Sequence, residues 1–103
     1  MQSSGVGNCV NQVAFAQAAR FPLLTIVTMR GEAAEKNPWQ VPMGQATPAI
    51  FTEMGGEVQR IDNAGDAGPT VTGAGQTAFR NDGIVAVLIA QDVIGAKSFE
   101  AAE

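Results

Sequence analysis

The sequence predicts a layered α/β fold in which helices pack against a mainly parallel sheet. Two apolar, β-branched runs, Leu23 to Met29 and Ile84 to Ile89, lack the alternation of a half-exposed strand and match strands covered on both faces. Stretches with helical periodicity lie before and between the strand patterns. The resulting order is turn, helix, strand, loop, helix, strand, helix, strand, which implies right-handed crossovers between parallel strands.

A chain of 103 residues is one domain at most. With 46% hydrophobic and 16% charged residues it has a globular composition. No apolar run approaches the ~18 residues that a membrane span requires. The net charge is −4, and the six basic residues are scattered, so no basic face for nucleic acid is visible. Histidine is absent and cysteine occurs once, which excludes Ser-His-Asp catalysis, His-ligated metals, multi-thiolate zinc sites and an internal disulfide. The lone thiol fits a reducing cytoplasm.

The first element is the glycine-punctuated stretch Gln2-Ser3-Ser4-Gly5-Val6-Gly7-Asn8. It reads as a turn entering a helix from Cys9 to Arg20, either an ordinary tight connection or a bend that a ligand can approach closely. Such a turn normally follows a strand, and Met1 and Gln2 leave no room for one, so Met1 is expected to be an internal methionine of a longer reading frame. A signal peptide is not expected, because the front lacks a charged segment followed by a long apolar one. Val10, Val13, Ala14 and Ala18 recur at helical spacing, with Phe15 and Ala19 as a second apolar row, so burial on more than one side is expected. Asn8 is the expected cap, and Pro22 the stop.

Leu23 to Met29 is expected to be a central strand. The polar segment Arg30 to Met43 then carries Gly31, Pro38 and Pro42, and a loop of that length after a buried strand marks a candidate site. Thr47-Pro48 predicts a helix start, with Ile50, Phe51 and Met54 inward and Gly55-Gly56 as the end. Glu57 to Ile61 reads as a polar strand near the sheet edge. Asp66 and Pro69 open a helix to about Arg80, with Val71, Ala74, Ala78 and Phe79 inward, and Asn81-Asp82-Gly83 turns into the last strand. Residues from Gln91 onward read as a departing arm.

The motifs alone assign no chemistry. The third glycine of a dinucleotide fingerprint beginning at Gly5-Val6-Gly7 would fall on Val10, and no Gly-Lys-Ser/Thr follows for a phosphate loop. Cys9 is either a thiolate favoured by a helix start or a small buried side chain. Glu32 and Glu35 read as an acid/base pair or, more simply, as a solvated patch beside Lys36. Trp39 fills an interface, covers the core or touches a substrate.

Three segments together, M-Q-S-S-G-V-G-N-C-V-N, F-P-L-L-T-I-V-T-M-R-G-E and N-P-W-Q-V-P-M-G-Q-A-T, with V-A-V-L-I-A-Q-D-V-I-G near the end, closely resemble the pyrimidine-binding domain of thiamine diphosphate enzymes. Within them the likeness is greatest to the sulfopyruvate and phosphonopyruvate decarboxylases. The resemblance implies a three-layer α/β sandwich, as a partial pyrimidine-binding domain over residues 1–95, with a tail or linker at 96–103. It implies that Ser3, Ser4, Gly5, Val6, Gly7 and Asn8 shape the cofactor's pyrimidine pocket. It also implies that Arg30, Gly31 and Gln40 lie on the substrate side. The family's activating glutamate is expected upstream of this chain, so no catalytic residue is assigned, and Glu32 and Glu35 are not its equivalents. The magnesium and diphosphate motif, Gly-Asp-Gly with a downstream Asn-Asn, is absent, so both are expected on a partner domain or beta subunit. The expected assembly is a dimer or higher oligomer decarboxylating a 2-oxo acid, with this chain inactive alone. The alternative is a truncated, non-catalytic α/β binding or assembly module.

Overall fold

A computed structural model describes residues 1–33 and 35–94. The tail expected at 96–103, and its boundary at 95, lie outside the described residues. In chain order the elements are α1 (Ser3–Val6), a 3₁₀ turn (Gly7–Cys9), α2 (Val10–Ala19), β1 (Leu23–Thr28), a 3₁₀ turn (Pro38–Gln40), α3 (Val41–Glu53), β2 (Glu57–Ile61), a 3₁₀ turn (Ala64–Asp66), α4 (Ala67–Asn81), β3 (Ile84–Ile89) and α5 (Gln91–Ile94). The three strands form one parallel sheet in the order β1-β3-β2, with Leu23 opposite Ile84 and Glu57 opposite Val85. The α/β expectation therefore holds.

The centre of this sheet is β3, not β1 as the sequence predicts. All of Ile84 to Leu88 is buried, as an all-apolar strand flanked on both sides requires. In β1 the run is interrupted by Thr25 and Thr28, and Ile26 is 39% exposed. The outer edge of β1 is met by the chain's own start: the Met1 ammonium donates to the Ile26 carbonyl (2.8 Å), and Thr28 N–H donates to the Met1 carbonyl (2.7 Å). Gln2 thereby forms a single parallel bridge with Thr28. The polar strand β2 lies on the other edge, as expected.

Each face of the sheet buries its own core. On one side Val6, Val13, Ala16 and Phe51, from the first three helices, pack on Val27, Met29, Ile84, Ala86 and Leu88. On the other, Ala74 and Ala78 of α4 pack on Ile61, Val85 and Val87. Helix, sheet and helix give the three layers. No helix among the described residues is long and apolar enough to cross a membrane.

Several local expectations are corrected. The stretch Ser3 to Asn8 is not a bend: it is already helical, Gly7 sits at φ −57°, and α1 runs through the 3₁₀ turn into α2. Asn8 lies inside that turn and makes no cap, since the helical path begins at Ser3, directly after the bridge at Gln2. Helix α3 begins at Val41 rather than at Thr47-Pro48. Asn37 Oδ1 accepts from Trp39 N–H (3.1 Å) and starts the 3₁₀ turn that leads into it, while Pro42 occupies the first turn. Pro48 is tolerated within the helix, one residue after Thr47, whose hydroxyl donates to the Met43 carbonyl (2.6 Å). Phe79 is 70% exposed instead of inward, and Gln91 opens a short helix with its side chain fully buried.

Candidate functional site

The two segments singled out in the sequence meet at the carboxyl end of the sheet. The bridge at Gln2 brings the head of α1 beside the last residue of β1, and Arg30, two residues further on, donates its N–H to Ser3 Oγ (2.9 Å). Ser3 is fully buried, so this bond is shielded from water. Val6 also faces the core, whereas Ser4, Gly7 and Asn8 are exposed and Gly5 is half-buried. The Ser4 hydroxyl donates to Gln2 Oε1 (3.2 Å). Gly7 faces Met43: a Cβ there would lie 3.6 Å from the Met43 methyl, an ordinary contact.

The second segment is held by close backbone approach. Gly31 adopts φ +75°, and a side chain on it would strike the Gln40 carbonyl and the Val41 Cα. Gly44, in the second turn of α3, lies so close to the Arg30 carbonyl that no Cβ fits. Arg30, Gly31 and Gln40 are thus brought together at this end of the sheet. The Gln40 side-chain oxygen is shielded from solvent and accepts no hydrogen bond, leaving an acceptor whose burial costs about 1–3 kcal/mol until a donor reaches it.

A polar network missed by the sequence reading closes this end of the sheet. Glu32, just beyond β1, receives both terminal nitrogens of Arg60 from β2 (2.7 and 3.0 Å) and the backbone N–H of Gln91 beyond β3 (2.8 Å). Arg60 Nε also donates to Asp62 (2.9 Å). Glu35 accepts from Gly31 N–H (2.9 Å), the Gln91 side-chain amide (2.9 Å) and Asn37 N–H (3.1 Å). The carboxyl ends of all three strands are therefore tied together. Glu32 and Glu35 are partly solvated, but both are held in hydrogen bonds rather than standing free beside Lys36. The Arg60 hydrogen bond, reinforced by Gln91 N–H, holds Glu32 below the usual carboxylate range against a desolvation cost. The Gly31 N–H does the same for Glu35, helped by the Gln91 amide and the N–H groups of Asn37 and Lys36. The available signal was positional: a charged or amide residue stands at or just past the end of each strand pattern, at Glu32, Arg60 and Gln91.

Trp39 is 88% exposed and does not cover the core. Cys9 is a half-buried free thiol at the joint between the 3₁₀ turn and α2.

Comparison with known proteins finds a likeness over part of the chain. The likeness is to sulfopyruvate decarboxylase subunit alpha. The protein of that name from Methanococcus maripaludis is 42% identical over 52 residues, covering 50% of this chain and 31% of the relative. Its counterpart from Methanocaldococcus jannaschii is 41% identical over 46 residues, 44% of this chain and 27% of the relative. The matched segment is thus about a third or less of the length of these curated relatives, each of which is one subunit of a multi-subunit decarboxylase. No protein-family model matches the chain.

Proposed function

We propose that the chain forms the pyrimidine side of a thiamine diphosphate-dependent 2-oxo acid decarboxylase of the sulfopyruvate or phosphonopyruvate type, in company with a partner that holds the diphosphate and magnesium. The observation that carries this reading is the meeting of the α1 head with the Arg30–Gln40 loop through Ser3 Oγ, in a chain similar over half its length to sulfopyruvate decarboxylase subunit alpha.

The residues present fit one wall of such a site. Ser4, Gly7 and Asn8 offer an open surface of small groups, and Gln40 supplies a shielded acceptor suited to an N–H or O–H. The head from Ser3 to Cys9 contains no carboxylate, and no group of acidic or cysteine side chains able to hold a metal occurs among the described residues. When bound, thiamine diphosphate supplies the electron sink for loss of carbon dioxide from a 2-oxo acid. The chain's own part is placement: Ser3 fixes the loop against the head, and Gly31 with Gly44 lets the backbones approach closely enough to bring Gln40 alongside.

Carbon dioxide release from sulfopyruvate, with thiamine diphosphate and magnesium, tests the reading on the chain alone and on the chain mixed with a beta subunit of sulfopyruvate decarboxylase. The expected result is no turnover by the chain alone, and a chain–partner complex that binds the cofactor. Turnover by the chain alone contradicts the shared site. Failure to form any complex leaves the non-catalytic binding or assembly module as the better description.

A further inference from the structure

Gln91 is a fully buried polar side chain whose groups are all engaged at the loop after β1. Its backbone N–H donates to Glu32 Oε1 (2.8 Å), while its side-chain oxygen accepts from the Glu32 N–H (3.0 Å), so the two residues close a reciprocal ring. Its side-chain nitrogen donates to Glu35 Oε1 (2.9 Å), the same oxygen that accepts from Gly31 N–H (2.9 Å). One end of the amide must accept from a backbone N–H and the other must donate to a carboxylate, so the chemistry fixes its orientation. From Gln91 the bonds run to Gly31, whose left-handed backbone sets the turn against Gln40, and so to Arg30 and Ser3.

We infer that Gln91 is the positioning residue of the substrate-side loop, and that an amide is required there because it meets a carboxylate and an N–H at once. The assignment of that loop to the substrate rests on the function proposed above; the positioning itself does not. A carboxylate in place of the amide would face Glu32 and Glu35 from the loop, with Arg60 already committed to Glu32 and Asp62 from β2, and with exposed Asp92 as chain neighbour. It would lose the donor and add repulsion. A protonated carboxyl has the shape of the amide and restores both bonds, its O–H donating to Glu35 and its C=O accepting from Glu32.

The test is amide hydrogen exchange, corrected for intrinsic rates, on the full chain carrying Gln91→Glu. At about pH 8 protection at Gly31, Glu32 and Asn37 should fall about tenfold or more, while Val87 and Leu88 in the sheet centre keep theirs. Lowering the pH to about 5.5 should restore protection in the variant, because burial beside two carboxylates raises the introduced group's pKa, whereas the unsubstituted chain stays flat. Gln91→Asn keeps an amide one carbon too short to reach Glu35, and should loosen Gly31 at every pH. It carries the test if Gln91→Glu does not fold at the higher pH. Unchanged protection at Gly31, a loss that pH does not reverse in Gln91→Glu, or equal loss at Val87 and Leu88 overturns the assignment. No cofactor enters this readout, so its failure is distinct from failure of the proposed function.

Discussion

At the carboxyl end of the sheet the residues that meet are far apart in sequence: Ser3 with Arg30 is a separation of 27 positions, Glu32 with Arg60 of 28, and Glu32 with Gln91 of 59. At the amino end most turns are closed by near neighbours. Arg20 (φ 59°) and Asp82 (φ 51°) end α2 and α4 in left-handed conformation, with Arg20 N–H bonded to Ala16 and Gly83 N–H to Ala78. Around these turns lies an open polar cleft of roughly 290 Å³, lined by Gln17, Arg20, Glu57, Asn81 and Asp82 among others. The contrast teaches where coupling resides. Side-chain bonds at the carboxyl end link three strands, whereas at the amino end the left-handed turns are closed mainly by backbone, within the ends of their own helices and by the Leu23 N–H bond to the Gly83 carbonyl.

The largest expected effect is from Gly44→Ala. The added methyl runs into the Arg30 carbonyl, backbone that cannot yield without moving the loop. A loss of about 3 kcal/mol is expected in urea denaturation, with increased exchange at Arg30 and Gly31. A neutral result would mean that the two backbones are not in close contact.

Arg60→Met removes the bidentate partner of Glu32. Both groups are partly solvated, so the expected cost is about 1 kcal/mol near neutral pH. The same network sets an acid limit. Glu32 and Glu35 titrate lower in the folded chain than in the unfolded one, so the unfolded state binds more protons in acid. Their contribution is fully present above about pH 5 and is lost as the pH falls below about 4. Arg60→Met should show a shallower decline over that range, and an identical decline would exclude the Arg60 contact as its cause.

At the amino end the sign reverses. Arg20→Gly places glycine where the backbone is already left-handed, and should raise stability by about 0.5–1 kcal/mol. Destabilisation would show that the Arg20 side chain holds the cleft together.

Gly7→Ala has the smallest expected effect on stability. Gly7 is helical and its Cβ space is open to ordinary contact, so alanine should be neutral or stabilising by about 0.5 kcal/mol. The added methyl also narrows the exposed head and should weaken ligand binding there, which separates stability from function at one position.

The parts of the fold legible in sequence were those written in local pattern. The all-apolar β3, the polar β2, the Gly55-Gly56 stop and the Asn81-Asp82-Gly83 turn all lie where pattern and turn chemistry placed them. The errors have physical causes. Gly5 and Gly7 tolerate a turn without requiring one, and here they follow a helix. Asn37 and Pro42 supply an earlier helix start that outcompetes Thr47-Pro48. Phe79 shares a helix with Ala74 and Ala78, but α4 meets the sheet through those small side chains and leaves the ring outside. Of the candidate site, the sequence marked the polar segment after β1 by its length and position, but Glu32, Arg60 and Gln91 belong to three strand ends that only the parallel topology brings together.

The most direct measurement is an amide chemical-shift map of the full chain titrated with the aminopyrimidine half of thiamine at millimolar concentration. Shifts should cluster at Ser4, Gly7 and Asn8, with the cleft around Arg20 and Asp82 silent. Shifts confined to that cleft, or none at all, would contradict it.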